Sequence, residues 1–572
     1  MPSYANHKTT ISIEGTTLTT FQTLSISQSI HTQHQFEVAF EYEQVEASFT
    51  FKSSAIQELA GKNISIKIES IDSATAKLTF NGVITEAELV QHDQAFLGSM
   101  IVRGYGLPYK LATVPGISLY TEMSVKDLVT NCLSAYSSPK EVSAPLGPSH
   151  VIPYAVRYRE TYWNFLRRLA YDYGAWFYYD GVKLHFTTTP GGTPVPLTFG
   201  LDMSNLRSGT RTAPQFVSHY DYFSADDTEA AAQGTANASL FVAPAENAQL
   251  GYRRSLAAAD VKQFASNRSA SFGADSSYVA GDSEVPGISV GTTVRISDQR
   301  SGAPLGDFNV IEVTHHIDKA QRYRNHFQAI PATVKVMPPG PLERPVCAPQ
   351  LGKVMDNKDP KKLGRVQVQL QWMKTSEKTP WLRVLAPHYG LDAKQEKSRG
   401  FLFVPEVEDQ VMVGFQNGDP ERPFVFGAMP HGKNAAVADP AKEHHLSVSS
   451  GTTITFLDTQ TKHELHLQVD DKNLITIVVD NGQGTITLNA SKSLVLKATQ
   501  EITLDAPKIA ITGDNVTIKG TAKTAISGAA VEVKADAELK ASAATVKVAG
   551  TGMATLESSG ITTVKGSVVM IN

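Results

Sequence analysis

This sequence of 572 residues has only two cysteines, no large excess of one charge and no long apolar run. The two cysteines, Cys132 and Cys347, lie far apart and have no CxxC partner, which argues against a disulfide framework or a cysteine zinc site and predicts buried thiols. Net charge is only -4 with scattered lysine and arginine, so no nucleic-acid surface is predicted. No run approaches the roughly 20 apolar residues that cross a bilayer, so stable membrane insertion is not predicted either.

The N-terminus also lacks the features of a secretory signal. Its first ten residues contain no basic start followed by an apolar core. We therefore expect the chain to be made and kept in the cytoplasm, and to reach the extracellular space only if a dedicated apparatus exports it.

Aromatic residues are absent from the last part of the chain. No Phe, Tyr or Trp follows Phe456, although these residues make up 8% of the sequence. Ordinary globular cores depend on such rings. From residue 484 onward, small apolar residues instead recur in pairs two apart, and each pair begins seven or eight residues after the start of the previous one. The pairs are Ile486/Leu488, Leu494/Leu496, Ile502/Leu504, Ile509/Ile511, Val516/Ile518, Thr524/Ile526, Val531/Val533, Leu539/Ala541, Val546/Val548, Ala554/Leu556, Ile561/Thr563 and Val568/Met570.

This spacing predicts a repeat of short strands. A period of two places both members of a pair on one face of a strand, and a polar or small segment then turns the chain. One strand cannot bury its own inner face, so the units must stack along an axis into a rod whose narrow interior excludes rings. An alanine-rich helix over 522–544 is an alternative, but Val531/Val533 favours period two. A single-chain β-solenoid also fits the spacing.

Ahead of this tail, the patterns predict two β-rich domains separated by helices. Ser124 can cap a helix that runs to Tyr136. A second helix is predicted from Glu160 to Tyr173, where one apolar stripe ends at Gly174 in the C-cap position. A short helix is also predicted near 260–270.

The remaining segments are a linker and a small barrel. Residues 336–350 contain five prolines, too many for a helix or a central strand. Residues 351–430 hold several short strands with turn signals at glycine and Asp-Pro positions, a rhythm typical of a small β-barrel.

Several motifs resemble the VgrG family of contractile injection machines. The hub motifs are Arg159-Glu-Thr-Tyr-Trp-Asn-Phe-Leu-Arg-Arg-Leu169, Ala175-Trp-Phe-Tyr-Tyr179, His315-His-Ile-Asp318, Tyr323-Arg-Asn-His-Phe327 and Ala329-Ile-Pro331. Those of the small barrel are Gly364-Arg-Val-Gln-Val-Gln-Leu-Gln-Trp372, Thr379-Pro-Trp-Leu-Arg-Val384, Phe403-Val-Pro-Glu-Val407, Val411-Met-Val-Gly-Phe415 and Asn417-Gly-Asp-Pro-Glu-Arg-Pro-Phe-Val-Phe-Gly427. The family usually has glycine where Glu408 stands, so the resemblance leaves the geometry of this one turn open without changing the assignment.

The resemblance covers essentially the whole chain and implies a mainly β fold. The implied fold has two hub β-barrel domains with an α/β insertion, an OB-fold barrel, and a C-terminal intertwined triple-stranded β-helix. The implied domains are 1–110 first hub β-barrel, 111–214 α/β insertion, 215–335 second hub β-barrel, 336–350 proline-rich linker, 351–430 OB-fold, 431–483 neck and 484–572 β-helix needle.

The resemblance also implies partners and a role. The chain would form a homotrimer whose hub meets inner tube and baseplate proteins, with a PAAR-type tip protein at the other end and effectors as further partners. The trimer would act as the central spike that punctures a target envelope for effector delivery, in either a type VI secretion system or an extracellular injection particle. The residues expected to bind the tip protein are Val568, Val569, Met570, Ile571 and Asn572.

No enzyme, cofactor or metal site is predicted. The GxSxG form of a nucleophile elbow is absent, and the space between the small barrel and the first repeat is too short for a glycosidase. The chain ends in phase with the last pair, so no fused effector is expected. His463 and His466 are three apart in a strand pattern rather than four apart on a helix, which favours exposed or interface histidines, as for His444 and His445. The alternatives are a trimeric receptor- or glycan-binding tail fibre and a spike with a hidden hydrolase activity.

Overall fold

The structure, a computed structural model, describes residues 7–18, 20–41, 55–71, 76–90, 98–143, 151–213, 217–224, 226–235, 248–250, 258–392, 397–433 and 441–571. The chain divides into two compact units, residues 1–437 and 438–572. The longest helix described, Ala258–Gly273, has 16 residues, and no helix in these ranges is long and apolar enough to span a membrane.

The first hub region is an antiparallel sheet of seven strands in the order β2-β1-β5-β6-β7-β4-β3, with one short helix α1. The bounds are β1 His7–Ile13, β2 Thr16–Leu18, β3 Thr23–Ser29, β4 Gln35–Glu41, α1 Ala55–Leu59, β5 Asn63–Ser70, β6 Lys77–Val90 and β7 Ser99–Gly106. Period-two alternation gives the sheet a buried face, as with Ile64, Ile66 and Ile68 on β5.

The insertion packs two helices and short strands on this sheet. The bounds are β8 Gly116–Ser124, α2 Val125–Cys132, β9 Lys140–Val142, β10 Val151–Glu160, α3 Tyr162–Tyr173, β11 Trp176–Tyr179 and β12 Leu184–Thr187. Ser124 caps α2 by accepting from the Asp127 amide at 3.1 Å, but the helix ends four residues before Tyr136 because 133–135 form turns. Helix α3 begins after Thr161, its N-cap, and ends at Gly174 with a φ of 68°.

The second hub region contains a closed barrel of six strands, ordered β19-β13-β14-β18-β21-β20 and closed by pairing of β19 with β20. The bounds are β13 Val195–Phe199, β14 Met203–Thr210, β15 Ser218–Phe223, β16 Thr228–Gln233, β17 Ala248–Leu250, α4 Ala258–Gly273, β18 Ser277–Ser283, β19 Thr293–Asp298, β20 Pro304–Ile317 and β21 Tyr323–Pro331. Strands β15 to β17 form a separate small sheet against α4.

Two features of the hub differ from the expectation. Strands β13 and β14 belong to the barrel although they precede residue 215, because β13 pairs in parallel with β19 about a hundred residues later. The first hub sheet does not close into a barrel within the described residues. Its edge strand β3 pairs instead with β20, which joins both hub regions into one sheet of 13 strands.

The OB-fold region follows the linker. Its strands are β22 Gln350–Asp356, β23 Gln367–Leu370, β24 Tyr389–Asp392, β25 Lys397–Gly400, β26 Gln410–Phe415 and β27 Pro423–Ala428. Glu408 adopts a φ of 79°, a backbone conformation that favours glycine, the residue usual in the family at this position.

The second unit begins with an antiparallel meander of five strands. The bounds are β28 Glu443–Ser447, β29 Thr453–Asp458, β30 Lys462–Asp470, β31 Asn473–Asp480 and β32 Gln483–Asn489. Residues 490–571 are extended, without helix or intrachain strand pairing, so the helix expected as an alternative over 522–544 does not form.

Candidate functional site: an uncovered apolar face from neck to tip

One face of the five-stranded neck sheet carries two rows of large side chains across all its strands. Each row contains cross-strand partners, so its members stand side by side on the same face. The rows are Leu446–Ile454–Leu467–Ile475–Leu488 and His444–Phe456–Leu465–Ile477–Ile486. We call these ten residues the apolar neck face.

The chain leaves this face open to solvent. Leu467 and Ile475 near the middle of the sheet remain 38% and 39% exposed, and Ile486 on the last strand is 68% exposed. Antiparallel sheets normally bury one face on a core. A contiguous apolar surface of this size usually marks a partner interface.

The central row of the opposite face is polar. It consists of His445–Thr455–His466–Thr476–Thr487. The Nε2 atom of His466 lies 2.8 Å from a Glu464 carboxylate oxygen, and the ammonium group of Lys462, with His466, holds the pKa of Glu464 below its usual value. The large apolar side chains are therefore concentrated on the apolar neck face, and the middle of the opposite face is polar.

Beyond β32 the chain advances in regular extended segments. Bends fall at 491–492, 499–500, 507, 514–515, 521–522, 529, 536–537, 544, 551–552, 559–560 and 567. Their spacing of seven to eight residues is that of the apolar pairs. Every residue from 483 to 571 is exposed, and no backbone ladder joins one segment to the next within this stretch.

The unpaired backbone distinguishes two architectures that the spacing left open. A single-chain solenoid would pair each segment with its neighbours along the same chain. The N–H and C=O groups of unpaired backbone bond to water instead of to each other. Such bonds do not hold successive segments together as a rod. The ladder that a single-chain solenoid would form is therefore absent from residues 490–571.

The predicted tip residues lie at the end of this stretch. Val568 and Met570 form the last pair and are 73% and 86% exposed, and Val569 and Ile571 are exposed as well. Asn572 lies outside the described residues. The role of these residues in binding a tip protein stays a prediction.

The two histidines of β30 lie apart within one chain. His463 and His466 project to opposite faces of β30, and His463 pairs with Asp458 through its Nδ1 atom. Within the described residues, no three His, Cys, Asp or Glu side chains gather in a way that could hold an ion.

Comparison with known proteins agrees with this architecture. The family model for the phage tail baseplate hub (GPD) matches residues 35–321, half of the chain. The chain belongs to the phage tail baseplate hub family. The model for the type VI secretion system and phage-baseplate injector OB domain matches residues 350–429 of this hub protein.

Curated relatives of this hub-family chain are type VI secretion spike proteins. VgrG1a of Pseudomonas aeruginosa is 22% identical over 427 residues, covering 65% of this chain and 62% of the relative. VgrG5 of the same organism is 33% identical over 126 residues, covering 20% of this chain and 15% of the relative. The chain thus spans less than two thirds of the length of either relative.

Solved structures show the same fold. The E. coli c3393 protein, a type VI secretion component similar to T4 tail proteins gp27 and gp5, matches with a TM-score of 0.50 and 17% identity, covering 73% of this chain and 99% of that chain. A chain of the Francisella PdpA-VgrG complex matches with a TM-score of 0.56 and 9% identity, covering 85% and 88%. The resemblance and the mainly β fold with hub and OB domains are confirmed, while the triple-stranded β-helix stays a prediction.

Sequence reasoning missed the apolar neck face. The pairs Ile454/Phe456, Leu465/Leu467 and Ile475/Ile477 have the same two-residue spacing as the needle pairs. The spacing could have identified them. Phe456 obscured the signal, since an aromatic residue does not fit the narrow rod predicted for the tail.

Proposed function

We propose that this chain is the structural spike of a contractile injection machine and acts as a homotrimer. The observation that carries the proposal is the continuous apolar surface from the neck face to the last needle pair, uncovered by the chain itself. Three neck sheets packed face to face would bury the apolar neck face. Three tails winding together would supply the ladder that one tail lacks.

The energetics favour association over an exposed tail. Removing one large aliphatic side chain from water is worth about 1.5 to 3 kcal/mol, and the nine apolar residues of the neck face are all partly exposed. The backbone of 490–571 would also exchange water for interchain hydrogen bonds. A rod built in this way resists bending, because bending breaks bonds of all three chains together.

Light scattering of the full chain tests the oligomeric state. A mass near three times the 61.9 kDa chain is expected. Ile475→Asp places a charge in the apolar neck face and should give a large fraction of monomer. Thr476→Asp is the matched control on the polar face of the same strand, and it should remain trimeric. If both variants or neither dissociates, the proposed interface is wrong.

The partners of the spike are assigned by position. The hub would meet the tube and baseplate, and a PAAR-type tip protein would sit on Val568 to Ile571, three copies of which form an apolar platform. Deleting residues 566–572 should abolish co-purification of the tip protein while leaving the trimer intact. Undiminished binding of the tip protein by this variant would exclude the platform.

Two other roles remain testable. A receptor- or glycan-binding fibre would bind its ligand through a globular domain, and a hydrolase carried by the spike would turn over peptidoglycan or lipid. The domains matched by family models are structural ones, which supports the spike. Measurable turnover by the purified trimer, or saturable binding to cell-surface glycans, would favour the alternatives.

A further inference from the structure

A turn of the OB-fold inserts a carboxylate into the hub. Glu421 is 1% exposed, and its Oε1 atom accepts a hydrogen bond from the Arg168 guanidinium at 3.0 Å and from the Val156 amide at 3.3 Å. Arg168 lies on α3 and Val156 on β10, both in the hub insertion. The motif that contains Glu421 was recognised in the sequence, but its sequence gives no indication of this contact.

Arg422, the next residue, binds a second element of the hub. Arg422 donates two parallel hydrogen bonds to the Asp221 carboxylate, at 2.8 and 3.0 Å, and Asp221 lies on β15 of the small sheet. Both partners are buried. Two adjacent residues of the OB-fold therefore hold two separate parts of the hub, and bidentate pairs of this kind also fix orientation.

The arginines that face the turn 419–422 are shared among several carboxyl groups. Arg168 binds both Glu421 and Glu160, the latter at 2.8 Å, and Arg422 binds Asp221 while Asp419 lies in its own turn. Asp419 accepts from the Glu421 amide through Oδ1 at 2.9 Å. Its buried Oδ2 is 3.7 Å from Arg422 Nε, too far for a hydrogen bond.

The groups around Asp419 do not neutralise it. Glu421 and Arg422 come from its own turn and Arg168 comes from α3, while Tyr154 of β10 and Cys347 of the linker are neutral at ordinary pH. The Tyr154 hydroxyl is buried without a hydrogen-bond partner. Buried like charges repel strongly, so one carboxyl group of this cluster is stabilised by holding a proton.

We propose that the turn 419–422 is a proton-dependent latch that fixes the OB-fold to the hub and loosens as the pH rises through neutrality. Burial, and then the charge of Glu421, raise the pKa of Asp419 to about 7. Once the latch opens, an exposed aspartate returns to its ordinary pKa near 3.8. A raised pKa in the closed state contributes stability at low pH that is lost as the pH rises through about 7.

Hydrogen exchange of the Val156 amide in the full chain tests the latch, because this amide donates to Glu421. After correction for intrinsic exchange, protection should fall roughly tenfold between pH 6 and pH 8, as expected for one proton with a pKa near 7. Asp419→Asn keeps the acceptor for the Glu421 amide but cannot titrate. In this variant the protection of the Val156 amide should be constant across this range.

The matched control is Asp359→Asn. Asp359 is also a buried carboxylate paired with an arginine, Arg365, but both residues lie inside the OB-fold. This variant should keep the tenfold pH dependence at Val156. If Asp419→Asn does not fold, Glu421→Gln removes the other interacting charge and should flatten the dependence in its place.

The latch lies within one chain, so its test is independent of trimer formation. A wild-type Val156 amide whose corrected protection does not change between pH 6 and pH 8 would overturn the proposal. Full pH dependence in the titration-blocked variant would overturn it as well.

Discussion

Acid should unfold the hub because histidines are buried there in neutral form. His315 on β20 is completely buried, and its Nδ1 atom lies 2.8 Å from the Tyr323 hydroxyl. His34 is also buried, with its ring 5.6 Å from that of Tyr179. Burial lowers the pKa of His315 to about 3, helped by the charge of His34, and lowers the pKa of His34 to about 4.

The sign of the effect follows from which state binds protons first. The unfolded chain protonates these histidines near pH 6.5, whereas the folded hub does so only near pH 3 to 4. Stability is therefore full above pH 6.5 and falls as the pH drops. Below pH 6.5, each histidine lowers the free energy of unfolding by about 1.4 kcal/mol per pH unit. At pH 4 the loss of stability is therefore roughly 3 kcal/mol for His315 and up to roughly 6 kcal/mol for the pair. That is comparable with a typical domain stability of about 5 to 15 kcal/mol.

Urea unfolding at a series of pH values between 7 and 4, followed by tryptophan fluorescence, measures this loss. His315→Gln removes one titrating group while keeping a partner for the Tyr323 hydroxyl. Its free energy of unfolding should fall by roughly 3 kcal/mol less over this range than that of the wild type, whatever its stability at pH 7. His316→Gln, exposed on the other face of the same strand, is the control. Equal pH dependence in the two variants would falsify the burial argument.

Three further substitutions test local backbone features, each through urea unfolding of the full chain at pH 7. Glu408→Gly should stabilise the OB-fold by about 0.5 to 1 kcal/mol, because glycine tolerates positive φ and the exposed ion pair with Lys353 contributes little. Gly174→Ala should cost about 1 to 2 kcal/mol, because its Cβ would strain a left-handed cap and lie 2.8 Å from Asn267. Ser124→Ala should cost about 1 kcal/mol through loss of the α2 cap, and an unchanged midpoint would show that the cap is dispensable.

Local features of the hub could be predicted from the sequence, but long-range pairing could not. The apolar stripe of α3 and its glycine cap are encoded within about fifteen residues, and the structure confirms them. The pairing of β13 with β19 joins segments about a hundred residues apart. Alternation along a strand fixes which face is buried, but it carries no information on which strand lies alongside.

The latch illustrates the same limit for a site. Arg168 and Glu421 are 253 residues apart. Each residue lies in a motif that resembles the family, yet an arginine on a helix and a glutamate in a turn are ordinarily exposed. Only the packing of the OB-fold on the hub insertion makes them partners, and a single sequence holds no trace of that packing.

The change from paired strands to unpaired segments comes after residue 489, and apolar residues alternate in the same way on both sides of it. The last hairpin, from β31 to β32, turns at Asn481 and Gly482, whose φ values of 49° and 80° are the two positive angles typical of a type I′ turn.

No residue from 490 to 571 has a positive φ of this kind. Its turns are bends, and no segment pairs with the previous one. Strands with the same apolar alternation therefore pair within the chain up to residue 489 and not beyond it. Alternation alone fixes which side chains share a face, whereas pairing within the chain also needs a turn that brings the next strand alongside.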